Sequence, residues 1–386
     1  MIIDVTRLVA RQLDDIIPSG VDQVSLDYVA YFKKTAYALV RLKFIWIFLN
    51  KKDSELLFTF LLTKKKQKKY IKFLILKNLL LNSLGFGRKK KCWFLNTGHS
   101  GLHLKSYGKN IEKFLLKPIF FIHDLIPITH PEYCRKGESE KHIIRVITAL
   151  KYHKLIIVNS LDTQNKLQFF AINHGFFENN ILINFLGTKE FKNNKIFAKK
   201  NNSKKKYFVV LGTIEARKNH NLLLYIWKSL VERNHANIPQ LIIIGRRGWE
   251  CENTIALLER CEILKPFIKE LNNCSDSELL TWLSGAQALL FPSFVEGFGM
   301  PLAEAYAVGV PVIASDLAVY REFAGDTPDY LDPLDAIKWR EYILDYSQEI
   351  SILRQKQLER MQSFSCPTWE KHFAVLQCYL SKLYGN

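Results

Sequence analysis

Short apolar runs alternate with longer amphipathic or polar segments along most of this chain. The runs are too short for helices and are rich in β-branched and aromatic residues, so they predict buried strands. In the first half these runs cover residues 1–4, 44–49, 92–96, 119–122 and 155–158. Helix-length segments separate them, among them residues 21–37, which follow the turn residues Pro18, Ser19 and Gly20. This alternation predicts an α/β fold built on doubly wound parallel sheets.

Residues 291–316, FPSFVEGFGMPLAEAYAVGVPVIASD, are the most informative stretch of the second half. A buried strand is predicted at 288–292, a helix at 300–308 and a further strand after Gly309. Ligands of parallel α/β sheets bind at the carboxyl ends of the strands, which is where the loop between this strand and this helix would lie. The segment therefore predicts a ligand-binding loop.

Two carboxylates, Glu296 and Glu304, stand on either side of a glycine turn formed by Gly297 and Gly299. A turn that opens a helix directs free backbone N–H groups and the positive helix end at an anion. Carboxylates accept hydrogen bonds from sugar hydroxyls. The combination predicts a site for a nucleotide sugar, and the alternative is a surface turn with two solvated glutamates.

The string EGFGMPLAEA (296–305) resembles the E-x7-E signature of the retaining GT-B glycosyltransferases of family 4, also called glycosyltransferase group 1. Three other segments of the second half are similar to donor-domain segments of that family. They are FVVLGTIEARKN (208–219), LIIIGRRGW (241–249) and SDSELLTWL (275–283). In the first half FLNTGHSGL (94–102) and FFIHDLIPITHP (120–131) resemble polysaccharide-assembly members that attach mannose or related sugars.

The resemblance implies a GT-B fold, with two Rossmann-like domains facing a central cleft and a C-terminal helix returning to the first domain. The acceptor-side domain is expected at 1–190 and the nucleotide-sugar domain at 207–365. Residues 191–206 are the expected linker, since this stretch is polar and basic with few apolar anchors. The closing helix is expected at 366–386, and the length of the chain agrees with two domains.

The resemblance also implies the roles of individual residues. Departure of a nucleoside diphosphate calls for cations and oriented N–H groups at the phosphates. In the family an arginine commonly follows the glycine of the phosphate loop, whereas Thr213 stands there in this chain, so Arg217, Arg246 or Arg247 is expected to supply the second cation. The expected catalytic residues are His123, Lys218 and Glu296. The expected donor-binding residues are Gly20, Gly212, Thr213, Arg217, Lys218, Arg246, Glu296, Gly297, Phe298, Gly299 and Glu304. On the acceptor side we expect His99 and Asp124, although a histidine after a strand is also a common structural residue.

Charge is distributed unevenly along the chain. Residues 1–206 carry 38 Lys and Arg against 15 Asp and Glu, whereas residues 207–386 carry 17 against 22. The densest basic tract, 51–91, interleaves lysines with Phe, Leu and Ile and predicts contact with an anionic membrane surface. A solvated lysine-rich face is the alternative, and no recognised nucleic-acid module accompanies the charge, so no nucleic-acid partner is expected.

Neither a membrane-spanning run nor a signal peptide is evident in the sequence, and the seven scattered cysteines suggest no disulfide framework. We therefore expect a cytoplasmic protein, peripheral on the inner face of the cytoplasmic membrane.

The expected function is metal-independent, retaining transfer of a hexose, with mannose as the first candidate, from a GDP- or UDP-linked sugar. The acceptor is expected to be a growing surface polysaccharide or a lipid-linked saccharide, with no cofactor and with other polysaccharide-assembly enzymes as partners. A metal-dependent GT-A enzyme would carry a D-x-D motif, and the nearest match is Glu250-Cys251-Glu252. The alternatives are a GT-B-shaped sugar-nucleotide epimerase and a non-catalytic scaffold tethered to the membrane.

Overall fold

A computed structural model describes residues 1–63, 67–84, 91–188 and 205–384. The chain divides into two compact units. The first unit comprises Met1–Ile128 and Gly137–Asn184, and the second comprises Thr129–Lys136 and Phe185–Asn386. Residues 191–204 of the expected linker and the lysine-rich residues 64–66 and 88–90 lie outside the described residues.

The first unit is built on a seven-stranded sheet with the order β3-β2-β1-β4-β5-β6-β7. All neighbours are parallel except β2 and β3, which form an antiparallel hairpin at the edge. The strands are β1 (Ile2–Asp4), β2 (Tyr37–Leu42), β3 (Ile45–Phe48), β4 (Trp93–Asn96), β5 (Lys117–Ile122), β6 (Leu155–Val158) and β7 (Ile181–Ile183). All four residues of β4 and all four of β6 are buried, as expected where helices cover both faces of a parallel sheet.

Eight helices begin within the described residues up to Ile183. They are α1 (Thr6–Leu13), α2 (Gly20–Phe32), α3 (Lys51–Thr63), α4 (Lys68–Ser83), α5 (Ser106–Lys113), α6 (Ile126–Thr129), α7 (Glu138–Tyr152) and α8 (Leu161–Asn173). Helix α2 begins with a capping box in which Ser19 and Asp22 satisfy each other's backbone N–H groups.

The predicted helix over 21–37 was too long. Helix α2 ends at Phe32, and Tyr37 begins β2, which pairs with β1 from Ile2↔Tyr37 onward. The segment YALVRL has apolar residues that a helix could also bury, but it gains a parallel ladder on one side and the hairpin with β3 on the other. Tertiary pairing therefore decided its structure, as is common for short apolar segments.

The second unit contains a six-stranded, all-parallel sheet with the order β10-β9-β8-β11-β12-β13. Its strands are β8 (Tyr207–Leu211), β9 (Gln240–Ile244), β10 (Ile268–Leu271), β11 (Leu289–Phe291), β12 (Val312–Ser315) and β13 (Asp329–Leu331). The strand, loop, helix and strand predicted for 288–315 are thus confirmed. The order reverses at β8, since β9 and β10 lie on one side of it and β11 to β13 lie on the other, and ligands bind at such switch points.

The helices of the second unit are α9 (His220–Glu232), α10 (Glu252–Arg260), α11 (Asp276–Ser284), α12 (Met300–Ala307), α13 (Ala318–Ala324), α14 (Ala336–Tyr346), α15 (Ile352–Met361) and α16 (Trp369–Tyr384). Helix α11 begins with a capping box of Ser275 and Glu278. Phe373, Leu376 and Leu380 are the buried stripe of α16.

Candidate active site

Two loops at the carboxyl ends of β8 and β9 are bonded to each other. The Ile214 N–H donates to the Arg246 carbonyl at 2.9 Å, and the Gly248 N–H donates to the Ile214 carbonyl at 2.9 Å. Gly245 makes this approach feasible, because a Cβ at that position would lie 1.8 Å from the Gly212 carbonyl oxygen. The pairing fixes the loop that follows β8.

That loop then turns sharply into helix α9. Residues Ala216–Lys218 form one turn of 3-10 helix, and Asn219 takes a left-handed conformation with φ of 54° before α9 begins at His220. The Asn219 side chain donates to the Pro333 carbonyl at 2.9 Å, which holds the turn in place. The Lys218 side chain is thereby directed inward and is only 8% exposed.

The Glu296 carboxylate is the centre of this group. Lys218 Nζ lies 2.5 Å from Oε1, Arg217 Nη1 lies 2.8 Å from Oε2, and Ser293 Oγ donates to Oε1 at 2.9 Å. Glu296 is 8% exposed, so the carboxylate is withdrawn from water and is matched by two cations. Lys218 Nζ also lies 4.8 Å from the centre of the Phe291 ring.

The pKa values of Glu296 and Lys218 are set by burial and by neighbouring charges. Burial alone would raise the pKa of Glu296, but Arg217 and Lys218 outweigh burial and lower it to about 2. Burial lowers the pKa of Lys218, and the Glu296 carboxylate opposes that change. The carboxylate is consequently ionised throughout the neutral range.

Glu215 is a charged member of this group that the sequence analysis missed. Its Oε1 accepts from Arg217 Nη2 at 2.7 Å, while its buried Oε2 has no hydrogen-bond partner in the described part of the chain. Burial raises the pKa of Glu215 despite the neighbouring Arg217 and Lys218. Ser293 was also missed. Neither residue has a distinctive sequence pattern, although both lie within three residues of a predicted site residue.

The glycine turn leads from Glu296 into helix α12. Gly299 has a positive φ of 113° and precedes the first helical residue, Met300. Phe298 is buried and stacks on Phe323 with ring centres 4.7 Å apart. Glu304 lies on the second turn of α12 and is half-buried.

The candidates for a second cation take different positions. Arg217 contacts Glu296 directly, as described. Arg247 instead forms ion pairs with Glu259 and Glu270, the latter at 2.9 Å, at the exposed edge of the sheet. Arg246 and Thr213 are half-buried in the paired loops. Arg217 is therefore the arginine that the fold brings to Lys218 and Glu296.

A second group of predicted residues lies in the first unit. His123 follows β5 and its Nε2 lies 2.7 Å from the Thr97 carbonyl, and His99, in the loop after β4, places Nε2 2.7 Å from the Phe121 carbonyl. Because a carbonyl oxygen can only accept, both rings carry their proton on Nε2. The ring centres are 5.3 Å apart.

His142 of α7 completes this group and was not predicted. Its ring centre is 5.5 Å from that of His99, and its Nε2 lies 3.1 Å from the Asp124 carbonyl. Burial lowers the pKa of all three histidines, that of His123 to about 4, so the rings are neutral near pH 7. Buried histidines occur in many helices, and no sequence pattern distinguishes His142 from them. It could therefore not be predicted from the sequence.

The remaining predicted residues have ordinary local roles. Asp124 Oδ1 accepts from the Ile126 N–H at 3.0 Å at the start of α6. Gly20 is the exposed first residue of α2, and a Cβ there would meet nothing within 4 Å. Within the described residues no group of three or more His, Cys, Asp or Glu side chains is arranged to hold a metal ion.

Comparisons with known proteins place this architecture in a class. Anabaena HepE, solved in complex with UDP, superposes with a TM-score of 0.65 at 13% identity over 98% of this chain and 99% of HepE. The two Rossmann-like units have the GT-B fold.

The sequence comparisons are more specific. Residues 191–337 match the family described as glycosyl transferases group 1. The O-antigen chain mannosyltransferase B of Escherichia coli is 34% identical over 167 residues, which cover 42% of each protein. The serotype-specific mannosyltransferase WbdA of Escherichia coli is 27% identical over 275 residues, 67% of this chain and 32% of WbdA. The matches thus span less than half of the length of either relative. The chain carries a glycosyl transferases group 1 domain and is homologous to O-antigen mannosyltransferases.

Proposed function

We propose that this protein is a retaining, metal-independent glycosyltransferase that moves a hexose from a nucleotide sugar to a growing surface polysaccharide or lipid-linked saccharide. The observation that carries the proposal is the buried Glu296 carboxylate held by Lys218 and Arg217, 2.5 and 2.8 Å away, beside the N-terminus of α12. Two cations and a helix N-terminus form a preorganised site for a diphosphate. Mannose is the leading sugar because the relatives are mannosyltransferases.

The donor is expected to bind as follows. Lys218 and Arg217 contact the diphosphate, together with the amides of Phe298 and Gly299. Glu296 accepts hydrogen bonds from hydroxyls of the transferred sugar, and Glu304 from the ribose, since one ionised carboxylate can accept from two hydroxyls. The loops that contact the phosphates contain Gly212, Thr213, Arg246 and Gly297. Gly20 lies near the donor phosphate.

The predicted residues of the first unit are assigned to contacts with the donor sugar and the acceptor. His123 contacts the donor sugar, and His99 and Asp124 lie on the acceptor side. The acceptor hydroxyl oxygen bonds to the anomeric carbon on the face from which the phosphate oxygen departs. The C–O bond to the phosphate breaks, and the departing phosphate takes the hydroxyl proton. The protein then supplies charge stabilisation instead of a nucleophile.

A screen of nucleotide sugars by thermal stabilisation tests donor binding. A ligand that binds only the native state adds about 2.7 kcal/mol of stability at one hundred times its Kd. GDP-mannose is expected to raise the melting temperature, and Lys218→Ala should abolish the effect. No stabilisation by any GDP- or UDP-linked sugar would contradict the proposal and favour a scaffold.

The product tests the reaction itself. An α-linked donor is expected to give an α-linked product in the presence of EDTA, measured by NMR of the anomeric proton. A β linkage would overturn retention, and dependence on a divalent ion would overturn metal independence. Epimerised sugar nucleotide formed without acceptor would instead identify an epimerase.

A further inference from the structure

Helix α4 (Lys68–Ser83) exposes an apolar face that the packing of the first unit leaves uncovered. The side chains of Phe73, Leu76 and Leu80 are 60%, 58% and 60% exposed. Their spacing of three and four residues puts them on one side of the helix. Leu84, immediately after the helix, is 72% exposed and continues the same stripe.

The opposite face of α4 is fixed to the sheet. It buries Ile71, Leu74 and Ile75. Asn82 accepts from the Phe48 N–H at 3.0 Å and donates to the Phe48 carbonyl at 2.9 Å, so it covers the edge strand β3. The exposed stripe therefore has one defined direction and cannot turn inward without breaking these bonds.

The charges on the helix identify the kind of partner. Its sequence contains no acidic residue and four lysines, of which Lys68 and Lys77 form ion pairs with Asp15 and Asp53. Lys69 and Lys72 are exposed and lie at the N-terminal end of the apolar face, because they precede Phe73 and Leu76 by four residues. A helix with Phe and Leu on one face and lysines beside them suits an anionic bilayer surface, with the ammonium groups reaching the headgroups.

The β2–β3 hairpin extends this surface. Asn78 accepts from the Asn50 N–H and Asn82 bonds to Phe48, so α4 runs along β3 toward the hairpin turn. At that turn Phe44 and Ile45 are 68% and 53% exposed. The apolar end of α4 and the hairpin turn thus lie toward the same end of the edge strand.

We propose that the exposed face of α4, with Phe73, Leu76 and Leu80 as inserting residues and Lys69 and Lys72 as headgroup contacts, binds this protein to the surface of an anionic lipid bilayer. The sequence predicted membrane contact from lysines interleaved with Phe, Leu and Ile over residues 51–91. The structure places the apolar side chains of α4 on one exposed face, so part of the binding is independent of salt. In the described part of the chain every helix is too short or too polar to cross a bilayer, and α4 lies in the interface instead.

Sedimentation with phosphatidylcholine vesicles containing phosphatidylglycerol tests this proposal. Phe73→Ser should weaken binding roughly tenfold, since full insertion of one such side chain contributes at least that factor. The matched control is Phe169→Ser, because Phe169 is 70% exposed on α8, and it should bind as the wild type does. Equal losses in both variants, or no loss in Phe73→Ser, would overturn the proposal.

Two further measurements distinguish a lipid bilayer from a second copy of the chain as the partner of the exposed α4 face. The difference in emission between Leu76→Trp and the wild type, which removes the signal of the seven native tryptophans, should be blue-shifted with vesicles and quenched by brominated lipid. An unshifted difference would count against insertion. Lys69→Gln with Lys72→Gln should weaken binding to anionic vesicles more than to neutral ones. Concentration-dependent dimerisation that Phe73→Ser abolishes, without vesicle binding, would assign the face to a second copy of the chain. Melting temperatures of all variants should match the wild type, because every replaced side chain is exposed.

Discussion

The strand ends of the two units carry opposite kinds of chemistry. In the second unit a buried carboxylate, Glu296, is bonded to two cations, and its pKa is lowered to about 2. In the first unit His99, His123 and His142 pack together, and burial lowers the pKa of each ring. One group is therefore charged at neutral pH, and the other is neutral.

The contrast bears on the proposed reaction, in which both a charged diphosphate and neutral sugars have to be bound. A desolvated Lys and Arg are suited to a diphosphate, whose charge they can neutralise at low cost of reorganisation. Neutral imidazoles, each with Nε2–H committed to a backbone carbonyl, keep Nδ1 as an acceptor and are suited to hydroxyl groups. The charged group is expected to govern donor departure, and the neutral group to govern the position of sugars.

The largest expected effect is on the charged group. Lys218→Ala should lower turnover roughly a hundredfold or more, on the scale of losing one charge-stabilising group. Lys228→Ala is the control, since Lys228 is a partly exposed lysine of α9 that pairs with Glu232, and its kcat should be unchanged. Steady-state kinetics measure both. If circular dichroism shows that Lys218→Ala is folded and its turnover equals that of the wild type, the charged group does not govern donor departure.

The buried neutral histidines should affect how the free energy of unfolding depends on pH. The pKa of His123 is about 4 in the folded protein, against an ordinary value of 6.5, so the unfolded chain binds the proton first as pH falls. The neutral His123 ring therefore contributes fully to the free energy of unfolding above pH 6.5. Between pH 6.5 and pH 4 this contribution falls progressively, by about 3 kcal/mol.

Urea denaturation of wild type and His123→Gln between pH 4 and 8 measures this loss. The variant keeps an amide N–H donor for the Thr97 carbonyl but cannot titrate, so its stability should fall less steeply below pH 6.5. Equal slopes in the two proteins would show that the His123 ring takes up its proton over the same pH range in the folded and unfolded states. That result would end the description of this group as neutral.

A smaller effect is expected on donor affinity. Glu304→Ala removes two hydroxyl acceptors from α12 and should cost about 1.5 to 3 kcal/mol of donor binding. Glu304→Gln, which keeps one acceptor, should lose less. Isothermal titration with the nucleotide sugar gives both values, and wild-type affinity in Glu304→Ala would contradict the ribose assignment.

The smallest effect concerns Gly20. Its φ is not positive and a Cβ has open space, so Gly20→Ala should leave the free energy of unfolding unchanged or raise it by about 0.4–1 kcal/mol. If a donor phosphate approaches this residue closely, the donor KM should nevertheless rise severalfold. An unchanged KM would identify Gly20 as an ordinary turn residue.

The second unit could be predicted from sequence because its signals are local. The apolar run of β11, the glycine turn, the helix start at Met300 and the capping box at Ser275 each depend on residues within a few positions. Lys218 could be predicted only through its family resemblance. Its contact with Glu296, 78 residues away, is a product of the β8-β11 pairing.

The first unit was less predictable because its structure depends on distant partners. Strand β2 forms since Met1 to Asp4 supplies a ladder, and its buried Arg41 is tolerated because Asp4 pairs with it at 3.0 Å. His142 joins His99 and His123 only once α7 packs beside the sheet. The grouping of Thr129–Lys136 with the second unit has no counterpart in the local pattern. Trp249 Nε1 donates to the Tyr133 carbonyl at 3.0 Å, a bond between residues 116 positions apart.

The contact between Gly245 and the Gly212 carbonyl has a consequence for how this protein can diverge. Alanine is the smallest possible replacement, and even its methyl group would overlap a backbone atom that no rotamer change can move. In a saturation library selected for folded protein, position 245 should retain glycine alone. Substitution at neighbouring Arg246 should be far better tolerated, so descendants of this sequence can alter the charge of the loop while its backbone path stays constant.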